Sequence, residues 1–146
     1  MRNLLILIST LLIVSCSSTR STSTSQSTFT GKHELLDDLT FKIVEFSQDD
    51  TYGHTQKNPI KVGNFSEGPK NERRFLNALA GPNGEKISYY RIGSCCEFKT
   101  KNSPFGGGLL DKYSVTYEGS TIEIVLYINM YDADVLRVPV GFTLRK

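Results

Sequence analysis

Apolar and polar side chains alternate in two adjacent runs between residues 112 and 129. Tyr113, Val115 and Tyr117 alternate with Ser114, Thr116 and Glu118. Beyond Gly119-Ser120, Ile122, Ile124, Leu126 and Ile128 alternate with Thr121, Glu123, Val125 and Tyr127. A period of two is the mark of a strand with one buried face, and two such runs around a glycine predict a β-hairpin. A two-residue Gly-Ser loop suits a type II′ turn. That turn pairs Tyr117 with Ile122, Val115 with Ile124 and Tyr113 with Leu126, which puts every apolar member on one face. Further strands are predicted over residues 39–46, 87–92 and 135–142, with a weaker one over 60–63. Pro139 lacks a backbone donor and assigns the 135–142 segment to a sheet edge.

The spacing changes to three and four at Phe75, Leu76, Leu79 and Ala80, which predicts one helix over residues 69–80. Pro69 suits its first turn, Glu72 lies near its positive end, and Gly81-Pro82 stops it. Lys70, Arg73, Arg74 and Asn77 are expected to face water. The sum is an α+β fold: a mainly antiparallel sheet of four to six strands with one helix packed on a face.

The N-terminal pattern is of another kind. Arg2 precedes an apolar run over residues 4–14, followed by Ser15-Cys16. About 11 residues rise only ~16 Å as a helix, short of a ~30 Å hydrocarbon core, so the run reads as the core of a signal peptide over residues 1–15. Ile13-Val14-Ser15-Cys16 resembles a bacterial lipobox. The resemblance implies diacylglycerol on the Cys16 thiol, cleavage before it and acylation of the new amino group. Two or more acyl chains anchor stably where one anchors marginally. Residues 16–30 form a lipidated Ser/Thr-rich tether with too little apolar surface to fold, spanning roughly 20 Å as a coil. Residues 31–146 form the folded domain.

With 17 basic and 15 acidic residues the chain is nearly neutral. It has no basic run of the nucleic-acid type, and nucleic acid is not an expected partner. The segments Asn58-Pro-Ile-Lys-Val-Gly63, Gly68-Pro through Gly84-Glu85, Gly93-Ser-Cys-Cys96 and Val138-Pro-Val-Gly-Phe-Thr143 resemble small uncharacterised lipoproteins of Bacteroidota-type bacteria. The likeness covers almost all of residues 31–146, although Glu97 stands where that family's pattern has proline. It implies no established activity. Some relatives carry the label 2-dehydro-3-deoxyphosphooctonate aldolase. Such an enzyme needs a barrel of about 250 residues, twice the block available here.

Three cysteines occur, and Cys16 is assigned to lipidation. The other two, Cys95 and Cys96, are adjacent. A vicinal disulfide, two buried thiols, or a redox or metal site all remain open for them. Neighbours on a strand point to opposite faces, so a bond between them requires a turn or a bulge. A cysteine nucleophile would have to use His54, with no third orienting group in view. Asp49-Asp50 and Asp132 with Asp134 lack a calcium-loop spacing. Gly106-Gly107-Gly108 lacks the lysine and hydroxyl of a phosphate loop and reads as a flexible turn. No cofactor or metal is expected.

The long 52–65 segment and several tyrosines define the expected binding surface: Tyr52, His54, Tyr89 and Tyr90. The expected role is a membrane-anchored, extracytoplasmic, non-enzymatic binding module. Its partners would be the bilayer, through acylated Cys16, and an envelope protein or polymer. The alternative is a small envelope enzyme, a hydrolase or thiol-dependent protein, using Cys95/Cys96 or His54. Ser17 rather than aspartate after Cys16 points to the outer membrane in a cell that has one.

Overall fold

The computed structural model describes residues 31–146. The signal segment, Cys16 and the Ser/Thr tether lie outside the described residues. The chain is α+β, with strands β1 (Leu35–Asp37), β2 (Thr40–Phe41), β3 (Glu45–Phe46) and β4 (Ile60–Lys61) before the helix α1 (Gly68–Ala78). After it come β5 (Leu79–Ala80), β6 (Ile87–Lys99), β7 (Gly107–Tyr117), β8 (Ile124–Asn129), β9 (Arg137–Val138) and β10 (Thr143–Leu144).

The principal sheet has the order β4-β8-β7-β6. Its β6, β7 and β8 are antiparallel neighbours, while β4 joins β8 in parallel. The remaining strands form three separate two-stranded ladders, β1-β2, β5-β10 and a parallel β3-β9. The expected single antiparallel sheet is therefore corrected to one mixed four-stranded sheet with small satellites. The 39–46 segment divides into β2 and β3, and the 135–142 segment shortens to β9.

The hairpin register follows from the alternation. Tyr113 pairs with Leu126 and Val115 with Ile124. The turn differs from the expected one. Ser120 N–H donates to the Tyr117 carbonyl at 3.0 Å, which puts Gly119 (φ 82°) at the third turn position rather than the second. Pairing with β8 ends at Ile124, Ile122 is exposed, and Tyr117 pairs instead with Ile87 of β6.

Helix α1 lies over the sheet face that carries Tyr113, Val115, Leu126 and Ile128. Its Phe75 and Leu76 complete one buried cluster with them. Gly68 opens the helix where a β-carbon would stand 2.6 Å from the Met130 sulfur, so the close approach requires glycine. The helix ends two residues before the expected stop, because Leu79 and Ala80 turn extended and pair with Leu144 and Thr143. Arg74 does not face water. Its Nε donates to the Asp38 carbonyl at 3.0 Å, and its Nη1 donates to Asn71 at 2.8 Å. Gly107 and Gly108 are not a flexible turn either: they begin β7, and a β-carbon on Gly108 would lie 2.5 Å from the Tyr131 ring.

Candidate functional site

Strand β6 is 13 residues long and its partner β7 is 11. Two bulges absorb the difference, one between Arg91 and Gly93 and one between Cys95 and Phe98. The second makes the cysteine pair possible. Cys96 adopts φ 60°, a left-handed conformation that side chains rarely take, and this turns it out of the strand alternation. Its sulfur is bonded to that of Cys95, with the Cα atoms 3.7 Å apart. Of the three outcomes open from sequence, the chain adopts the vicinal disulfide.

Beside Cys96, on the sheet face away from α1, opens a cleft of about 410 Å³. Phe98 and Leu110 from β6 and β7, with Pro59, form its apolar walls. Gln56, Lys57 and Lys61 enter from the 52–65 segment; Glu97, Asn129 and Asp132 complete the polar rim. Asp132 is held by Thr100 Oγ1 (2.5 Å), Asn102 Nδ2 (2.8 Å) and Asn129 Nδ2 (3.0 Å). These hydrogen bonds keep its carboxyl below the usual carboxylate range despite partial burial. Lys61 pairs with Asp134 at 3.6 Å, whereas Lys57 is exposed at the rim. The volume falls in the range of small-molecule sites, which combine apolar walls with a few fixed polar groups.

The opposite face of the same two strands is closed. Arg91 makes a two-pronged pair with Asp111, 2.7 Å at each contact, and Ser94 Oγ donates to Asp111 at 2.8 Å. Deeper, Tyr113 donates to Glu72 Oε2 at 2.8 Å. Glu72 is fully buried, and its Oε1 has no hydrogen-bond donor. Burial, reinforced by the Asp111 charge, pushes its carboxyl up to about 7. Glu72 was read from sequence as a helix-dipole residue. The signal for its burial was its place three and four residues before Phe75 and Leu76, on the apolar stripe.

The four residues expected to form a binding surface do not come together. Tyr52 is buried, its hydroxyl oxygen accepting the Arg137 N–H at 3.2 Å, and burial pushes its pKa to about 12. His54 stacks on Phe142 at 6.3 Å and its Nε2 lies 3.0 Å from the Val140 carbonyl. Tyr89 points toward α1 and donates to Asn77 at 2.7 Å. Its neighbour Tyr90 lies on the other face and donates to Glu123 at 2.6 Å. The 52–65 segment does line the cleft, but through Gln56, Lys57, Pro59 and Lys61. Asp49 is committed to Thr51 and Asn58, and no cluster of three or more metal-ligating side chains occurs among the described residues.

Comparison of the chain with protein-family models, curated proteins and solved structures gives no match. The site is therefore read from its own geometry.

Proposed function

We propose that the chain is a lipoprotein of the cell envelope, held by acylated Cys16, whose domain binds a ligand in the cleft beside Cys95–Cys96. It takes its place among the small lipoproteins it resembles as a binding module, presented at the outer membrane where the cell has one. The observation that carries the binding reading is the cleft itself. Its apolar walls end on a disulfide that cannot change rotamer freely, and its rim offers an uncommitted cation at Lys57 beside a carboxylate, Asp132, fixed by three donors. A preformed wall of this kind lowers the ordering cost of binding. The ligand class that fits has an apolar body with mixed polar substituents, as fragments of an envelope protein or polymer have.

The thiol-dependent form of the enzyme alternative would need a free thiol close to a histidine, and a hydrolase would need His54 free to act as a base. Cys95 and Cys96 are bonded to each other, and His54 packs on Phe142, so no observation favours that reading over binding.

The test is thermal denaturation of the protein with soluble envelope fragments, for the parent chain and for Lys57→Glu and Phe98→Ala. A ligand at about 100 times its Kd stabilises by roughly 2.7 kcal/mol, which moves Tm by several degrees. We expect a rise in the parent and little or none in the variants. An equal rise in all three would sink the cleft. The anchor is tested separately: Cys16→Ser should leave the membrane fraction.

A further inference from the structure

The 100–106 loop between β6 and β7 is stapled at its base. Thr100 N–H donates to the Gly106 carbonyl and Gly106 N–H to the Ser103 carbonyl, both at 3.2 Å, and Thr100 and Asn102 both hold Asp132. At its tip Phe105 is 88% exposed, the most exposed large apolar side chain described. One exposed phenylalanine is ordinary by itself; what matters is that a stapled loop holds it clear of the domain, beside lysines and the N-terminal end of the described chain.

Three further features point to what this loop meets outside the molecule. Lys99 at the base of the loop and Lys101 within it border a shallow hollow of about 780 Å³ with Asn102. Asn102 also borders a second hollow of about 590 Å³, lined by Gly31, Lys32, Phe65 and Tyr131. Phe65 and Tyr131 stack there at 5.3 Å. Gly31, the first described residue, lies at this same end, the end that the proposed anchor at Cys16 would approach. None of the ion pairs among the described residues uses Lys32, Lys99, Lys101 or the cleft-rim acid Glu97, whereas three other acids at this end are committed. Asp132 holds its three donors, Glu67 pairs with Arg74 and Lys70, and Asp134 pairs with Lys61.

We infer that this end of the domain docks on a lipid surface: Phe105 inserts among the acyl chains, and Lys32, Lys99 and Lys101 meet anionic headgroups. The inference rests on the lipid-anchor reading, and it assigns the domain an orientation that an anchor at Cys16 alone would not give. The cleft's Asp132 shares the 780 Å³ hollow with Lys99 and Lys101. Docking therefore brings the cleft close to the membrane surface rather than facing it into bulk water. Apolar insertion combined with lysine–headgroup attraction is the arrangement by which peripheral segments bind bilayers.

The chain contains no tryptophan, so Phe105→Trp introduces a single reporter at an exposed site. The full lipidated protein would be reconstituted on phosphatidylethanolamine–phosphatidylglycerol vesicles containing brominated lipid. The control, Ile122→Trp, lies on the exposed loop beyond the far end of β7, roughly 30 Å away at strand rise. The expected result is a blue-shifted, bromine-quenched emission at 105 and neither change at 122. Lys99→Glu with Lys101→Glu, or high salt, should reverse the shift at 105. Co-floating protein whose 105 emission stays solvent-like overturns docking alone. Equal quenching at both positions overturns the orientation, and a blue shift without quenching replaces the lipid with a protein partner. Quenching unaffected by the lysine variants or salt removes the headgroup assignment. Protein that does not float at all overturns the anchor reading, and docking with it.

Discussion

The two faces of the β6-β7 ladder differ more than two surfaces of one pair of strands usually do. Toward α1, Arg91, Asp111, Ser94, Tyr113 and Glu72 form a chain of polar contacts running from the rim into the core. On the other side, Phe98 and Leu110 floor an open cleft bordered by a disulfide. Polar groups are buried on the α1 side where hydrogen bonds and a retained proton compensate, while on the other side a half-buried Phe98 over the buried Leu110 leaves a wall that a ligand could cover. The alternation of the strand sorts the two chemistries, and the bulge at Cys96 is where the sorting is deliberately broken. Substitutions on the closed face should act on stability, and substitutions on the open face on binding.

The largest expected effect is on pH dependence. Glu72 has an ordinary value of 4.5 unfolded and is raised to about 7 folded. Below 4.5 both states hold the proton. Between 4.5 and 7 only the folded state does, so stability falls as pH rises, by roughly 3 kcal/mol across the window, and levels off above it. Urea unfolding at pH 4.5 and pH 7.5 should show that loss in the parent and a flattened profile in Glu72→Gln. An unchanged slope in the variant would remove Glu72 from the account. Next in size, Tyr113→Phe takes the only donor from Glu72 Oε2 and should cost about 1–3 kcal/mol, read as a lowered urea midpoint at constant m.

Smaller still is the disulfide. Cys95 and Cys96 are neighbours, so the loop they close has almost no entropy to restrict, and Cys95→Ala with Cys96→Ala should cost only about 1 kcal/mol. A loss several times larger would make the bond a staple of the fold rather than a wall of the cleft. Smallest is Lys57→Glu, an exposed rim change expected to stay within about 0.5 kcal/mol in stability while it removes the ligand-induced rise in Tm.

These contrasts also mark what was legible in sequence. The Tyr113–Leu126 and Val115–Ile124 register could be read because six alternating residues on one side and eight on the other agree. The helix could be read for the same reason, from Phe75, Leu76 and Leu79. The parallel pairing of Ile60-Lys61 with β8 could not, since two residues carry no period. The cleft was half legible: the 52–65 segment was singled out, but its tyrosine and histidine are consumed by packing, and Lys57 and Lys61 acquire meaning only when β6 and Asp132 are folded beside them. Cys95–Cys96 stood open among three outcomes because the deciding bulge depends on how many residues β7 sets against β6. Glu72 was misread because a single acid near a helix start fits the dipole as well as it fits the core.

The bulges on β6 have a consequence beyond the cysteine pair. This strand is the long outer member of its sheet, with an edge that no strand among the described residues covers. Uninterrupted edges recruit identical edges and grow into fibrils or sheets of chains. Breaks at Ile92 and at Cys96–Glu97 divide that edge into regular runs of at most five residues, Ile87–Arg91 the longest. A molecule held at high density on a surface, as the proposed anchor would hold this one, would meet its own edges often, and these breaks shorten what such an encounter could extend.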